Sequence, residues 1–154
     1  MKLEIEFVPT KLRYSSFWRV FSKEEWDNIK NRIIEKNGRS CQICSETEDN
    51  LTLDAMWNYN DNKHIQRLEG FILLCEMCHY TKHLGIAENL AKIGQFDYTR
   101  LIDHFCKVNN CSREEFEERK ATAYKLWEER SMYKWKRDLG NYNLWKKKPK
   151  TTKT

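Results

Sequence analysis

The chain has 154 residues, 40% of them hydrophobic and 33% charged, with six Trp, seven Tyr and seven Phe. That is enough for one packed domain with appended parts, and no apolar run approaches the roughly 18–20 residues of a membrane span. The net charge of +5 is unevenly placed: the last fourteen residues, NYNLWKKKPKTTKT, hold five Lys and no acid, so the remainder carries no net charge.

In chain order, residues 3–8 (LEIEFV) alternate apolar and charged positions, as a short strand or an extended arm would. The segment has no signal-peptide core, which places the chain in the cytoplasm. A helix follows, with Ser22 and Glu25 as a capping box, Gly38 as a left-handed stop, and Trp26, Ile29, Ile33 and Ile34 on one apolar face. Cys41 and Cys44 then form a knuckle. LTLDAMW reads as a strand, NYNDNKH as a polar turn, and FILL as a second short strand ending on Cys75. After Cys78, HYTKHLG suits the start of a helix. Asp97 caps another through YTRLIDHFCKV, and Ser112 with Glu115 opens a last helix running from about Arg113 towards Trp135 and ended by Gly140. These elements define an α+β fold: an arm over 1–21, a helix plus metal core over 22–95, a helical part over 96–140, and a basic tail over 141–154.

Six cysteines bear on the chemistry. In a reducing compartment the pairs Cys41/Cys44 and Cys75/Cys78, each C-x-x-C, read as metal ligands before disulfides. Four thiolates suit a structural zinc, because a closed shell leaves no open position. The bland alternative is four unrelated reduced thiols. Cys106 and Cys111, five apart, read as one buried and one loop thiol.

His79 follows the second knuckle and His83 lies four residues on, so both share a helix face. With Asp54 from the first strand they would form a two-histidine, one-carboxylate site for a second divalent ion: Mg²⁺, Mn²⁺, Ni²⁺ or Zn²⁺. Equally, His79 packs beside the knuckle and His83 sits at the surface. His64, in the polar turn, reads as a solvated loop histidine.

The order C-x-x-C, strand, loop, strand, C-x-x-C-H, helix resembles the HNH, or ββα-metal, nucleases in their four-cysteine zinc form. One bacterial and phage branch is closer still. It carries His-Glu-apolar-Trp-x-Tyr in the first strand, matched here by Trp57 and Tyr59, then IQRLEGF at 65–71 and CEMCHYTKHLG at 75–85. The likeness continues through SKEEWDNI before this core and through KVNNCSREEFEE and WEERSMYKWKRDLG after it, covering most of residues 7–140.

The resemblance implies a metal-dependent endonuclease with Asp54, His79 and His83 around the ion. The departure falls on the chemistry. The family's His-Glu becomes Asp54-Ala55, or, in the wider HNH pattern, Ala55 replaces the base beside a metal-binding Asp54. Either way the histidine that takes a proton from water is missing. Two functions therefore stand: an active HNH endonuclease, or a degenerate member that binds nucleic acid, DNA first, with catalysis weakened or lost. A phage-type protein that masks a host protein is a further reading. In the tail, Trp145 with Lys146, Lys147, Lys148 and Lys150 suits phosphate attraction and base stacking. The competing picture is a Trp135 packed on the core and a tail that only solubilises. The oligomeric state is left open.

Overall fold

The structure is a computed structural model that describes residues 1–13, 21–140 and 142. The elements are helices α1 (Thr10–Arg13) and α2 (Lys23–Asn37), strands β1 (Thr52–Asn60) and β2 (Ile65–Leu74), helices α3 (Glu76–Lys82), α4 (Leu84–Lys92), α5 (Tyr98–Asn109) and α6 (Arg113–Arg130), and strand β3 (Lys136–Asp138). The fold is α+β. Antiparallel β1 and β2 form a hairpin, β3 joins β2 in parallel, and the sheet order is β1-β2-β3. Among the described residues no helix is long and apolar enough to cross a membrane.

Local signals account for the helix ends. The Ser22 hydroxyl accepts from the Glu25 N–H at 3.1 Å and the Glu25 carboxylate accepts from the Ser22 N–H at 2.8 Å, which closes the expected box. Gly38, at φ 83°, stops α2. Asp97 and Ser112 each accept from the backbone N–H three residues on and so start α5 and α6.

The hairpin is longer than its apolar runs. β1 continues three residues past Trp57 and β2 begins six before Phe71, leaving only Asp61–His64 as the turn. The Asn60 side chain accepts from the N–H of Asn62 and Lys63, and His64 takes φ 56°, so a compact Asx-type turn replaces the long loop. Cross-strand chemistry sustains the polar rungs. Tyr59 and Gln66 face each other and bond at 3.0 Å, and Gln66 is fully buried.

α6 stops at Arg130, five residues before the expected Trp135. The Trp135 indole donates to the Arg130 carbonyl at 2.7 Å, and the chain turns back so that Lys136–Asp138 pair with Ile65–Arg67. Gly140, at φ 57°, therefore ends a strand rather than a helix. The N-terminal segment is an extended arm without strand pairing. Reciprocal bonds between Leu3 and Asn109 and a bond from the Trp127 indole to the Val8 carbonyl hold it.

Two apolar clusters pack against the hairpin. One cluster joins Leu3, Leu73, Leu74, Leu101, Phe105 and Phe116, so the arm, the hairpin and the helical part share an interior. The other joins Phe21, Ile29, Ala55, Leu68, Phe71 and Leu139 beneath α2.

Candidate metal centres

Both centres hang on α3. The first begins at a tight turn in which the Cys41 N–H donates to the Glu46 carbonyl and the Ser45 N–H to the Cys41 carbonyl, with Ser45 at φ 68°. The second pair opens α3, where the Cys75 sulfur accepts the Cys78 N–H at 3.5 Å, as the Cys41 sulfur accepts that of Ile43 at 3.4 Å. The 30 intervening residues are bridged at Gln42. Its N–H donates to the Leu73 carbonyl and its side-chain oxygen accepts the Leu73 N–H, so the first knuckle is stitched to the end of β2.

The four sulfurs consequently lie within 4.8 Å of one another, close enough to hold a metal ion. Cys44 and Cys75 are 3.6 Å apart at sulfur, far beyond a disulfide bond of about 2.0 Å. Hydrogen bonds from Cys75 and Cys78 hold the Cys41 thiol well below its usual range, and the same contacts push Cys75 and Cys78 up. Burial pushes Cys44 up. Metal binding requires the thiolate form, so a cation held among the four sulfurs would favour their ionisation.

A fifth side chain reaches this cluster. His104 on α5 brings Nε2 to 3.3 Å from the Cys78 sulfur and 3.9 Å from that of Cys75. Sequence reasoning passed over it, because no ligand spacing links position 104 to 75–78. Its only trace is helical: His104 follows buried Leu101 by three residues on the inward side of α5. Cys106 and Cys111 stand apart from the four and are unbridged: Cys111 is the expected loop thiol, whereas Cys106, on α5, is half-buried rather than buried.

The second centre brings together Asp54, His79 and His83, whose ligand atoms also lie within 4.8 Å of one another. Asp54 is 3% exposed on β1. One of its oxygens accepts the Ala55 N–H at 2.9 Å, and the other is 3.0 Å from His83 Nε2. The two imidazole rings are 4.8 Å apart. The helix expected to run through both histidines breaks between them: His83 closes α3 and precedes α4 at φ −121°, ψ 52°. Its N–H still donates to the His79 carbonyl, so the shared face survives the break.

Burial pushes the Asp54 carboxyl up, but the His83 bond, the charges of His83 and Lys82 and the Ala55 N–H outweigh it and hold the group below its usual range. Burial, then the neighbouring His83, keep His79 below the usual imidazole value, so it is disposed to be neutral, as a ligand must be. Ala55 points to the other face, as strand alternation requires, and packs in the cluster of Phe21, Ile29 and Phe71.

The surroundings are electrically split. A cavity of about 310 Å³ beside His79 is lined by Glu48, Asn50, Thr52, Glu76 and Tyr80. On the other side the arm brings in Glu6, whose carboxyl burial pushes above its usual range against the charges of Lys82, His83 and Arg130. Nothing in the spacing of motifs ties Glu6 to the site. The long arm contacts with α6 put it there.

His64 lies at the hairpin tip, stacked on Tyr133 at 4.1 Å. At about 3.3 Å per residue the tip is roughly 20 Å from Asp54. Trp145, Lys146, Lys147, Lys148 and Lys150 lie outside the described residues.

Taken with the fold, this is an α+β protein in which a turn before the hairpin and the start of the helix after it bring together a four-cysteine cluster close enough to hold a metal ion. No family description, curated protein or solved structure matches the chain.

Proposed function

We propose that the chain is a nucleic-acid-binding protein, DNA being the first candidate, on an HNH-like (ββα-metal) scaffold with weakened or lost cleavage. Zinc occupies the four-cysteine shell in this reading, and Asp54, His79 and His83 hold a second divalent ion. The observation that carries it is the meeting of those three side chains, within 4.8 Å of one another, across a hairpin and the helix that follows it.

The donor sets fit both ions. Zinc–sulfur bonds of about 2.3 Å make a tetrahedron with edges of about 3.8 Å, and the Cys44–Cys75 separation is 3.6 Å. Two ligands about 2.1 Å from one ion at a right angle lie about 3.0 Å apart, which is the Asp54–His83 separation of 3.0 Å. When bound, a divalent ion in an open mixed site supplies Lewis-acid stabilisation to a phosphate. Asp54, His79 and His83 would hold and orient it, and Lys82 adds positive charge felt at Asp54.

Weak catalysis follows from the histidine inventory. The chain has four histidines. Two are ligands, His104 is taken up at the cysteines, and His64 sits at the distant tip. A carboxylate held below its usual pKa, as Asp54 is, accepts protons poorly near neutrality. One observation favours the second reading, an active endonuclease. Glu6 shares the site's field and has a raised pKa, which suits a carboxyl to proton transfer.

Plasmid binding and nicking with Mg²⁺, Mn²⁺ or Ni²⁺ test these readings together. The expected result is DNA binding with nicking absent, or slower by about 10²–10⁴-fold than an enzyme with its base. Fast nicking that collapses in Glu6→Gln moves the conclusion to the active enzyme. Absence of binding to any DNA or RNA overturns both.

A further inference from the structure

The hairpin tip, remote from both metal centres, carries a second surface with its own chemistry. His64 and Tyr133 stack at 4.1 Å with their planes 15° apart, and the Trp135 ring meets His64 edge-on at 5.3 Å. Trp135 is 9% exposed and anchors the arrangement from beneath, whereas Tyr133 is 48% exposed. The backbone makes this possible. The Lys136 N–H donates to the His64 carbonyl at 3.0 Å, which locks the turn against β3 and holds the two rings in register.

Lys63, Lys134 and Lys136 are chain neighbours of the residues that carry these rings, and all three are exposed. Among the described residues none of the three enters an ion pair. The nearby acid is already neutralised, since Asp61 takes both of its bonds from Arg130, at 2.8 and 3.0 Å. The tip therefore combines an exposed, stacked tyrosine ring with three exposed lysines that enter no ion pair among the described residues.

We infer that this tip is a docking platform for single-stranded nucleic acid, with an unpaired base stacked on Tyr133 and the flanking phosphates held by Lys63, Lys134 and Lys136. It rests on the nucleic-acid reading above and names the strand state that reading leaves open. An exposed ring already backed by a second ring is pre-ordered for stacking, so little side-chain freedom is lost on binding. Paired bases inside a duplex present no free face to such a ring. A single strand presents one at every nucleotide, beside a phosphate that lysine attracts through counterion release.

The test uses the full chain and fluorescence anisotropy with a labelled oligo-dT 12-mer, an oligo-U 12-mer and a duplex of equal length. The expected result is tighter binding of a single strand than of the duplex. Tyr133→Ala should weaken single-strand binding about tenfold or more, while Tyr133→Phe retains it. Replacing Lys134 and Lys136 together by Ala should reduce the dependence of log affinity on log salt by about 1.4, roughly 0.7 for each phosphate no longer held. Unchanged far-ultraviolet circular dichroism and metal content confirm that each variant is folded. Binding that is strong but insensitive to Tyr133→Ala, or stronger for the duplex, overturns this inference and leaves the nucleic-acid reading standing. No binding to any of the three probes overturns both. Preference between the dT and U probes separates DNA from RNA as the strand held.

Discussion

The two candidate metal centres share one short helix yet differ in the donors they bring together. The four-cysteine cluster takes its donors from two turns stitched together through Gln42 and Leu73, and four sulfurs around one zinc ion would leave no position for a further ligand. The Asp54–His79–His83 cluster takes a buried carboxylate from a strand and two imidazoles from either side of a helix break. Three donors of mixed type leave positions open for water or phosphate. The cysteine cluster joins the turn before β1 to the end of β2 and the start of α3, whereas the mixed cluster joins β1 to α3 and its C-cap. Loss of the first should therefore spread through the molecule, and loss of the second should stay local.

The largest expected effect is at the cysteines. Cys78→Ser should abolish the bound metal and the cooperative thermal transition together, because structural zinc sites contribute on the order of 10 kcal/mol to folding. Cys106→Ser, outside the cluster, should leave both unchanged. Metal analysis and calorimetry read the pair of variants. A Cys78→Ser protein that melts normally without metal would break the distinction between the centres.

Asp54→Asn should be smaller and local. Zinc at the cysteines should remain, while titration with Mn²⁺ or Ni²⁺ should show affinity for the second ion reduced by more than about 100-fold, beyond what loss of an outer hydrogen-bond partner costs. The same variant has a pH signature. Asp54's carboxyl is depressed in the folded protein, so its contribution is fully present above the unfolded value of about 3.9 and is lost as pH falls through the lower folded value. The excess stability of the parent over Asp54→Asn, read from urea midpoints, should therefore hold down to about pH 4 and shrink below it. An excess that vanishes between about pH 7 and pH 5 would show that the aspartate is not held by His83.

Ala55→His gives the smallest and most local effect. Ala55 is 3% exposed and its cross-strand neighbour is Phe71, so a larger side chain should cost about 1–3 kcal/mol through overpacking. It should also fail to raise nicking, since position 55 faces α2 rather than the second centre. Nicking that rises in this variant would mean that the strand can present residue 55 to the metal side.

Much of this was legible in the residues. The cysteine pairs, the capping box at Ser22 and Glu25, the starts of α5 and α6, and the pairing of His79 with His83 on one side of α3 depend on short-range spacing, and each emerges as expected. The full length of the hairpin was not. Asn58, Tyr59 and Asn60 are polar or turn-prone, and only pairing with Ile65–Arg67 and the bond from buried Gln66 to Tyr59 makes them strand.

The same holds for the termination of α6 at Arg130, for β3, and for the placement of Glu6 and His104. Each depends on a contact between residues far apart in sequence, such as Lys136 with His64 or His104 with Cys78. The sequence by itself determined which atoms are able to hold a metal and where helices begin, because ligand spacing and capping act within a turn or two of chain. Tertiary structure alone decided that Asp54 faces the histidines while Ala55 faces an apolar core. It also decided that the arm brings Glu6 into the field of Asp54 and His83 and that Tyr133 lies against His64, since those outcomes follow from packing between segments that no local pattern records.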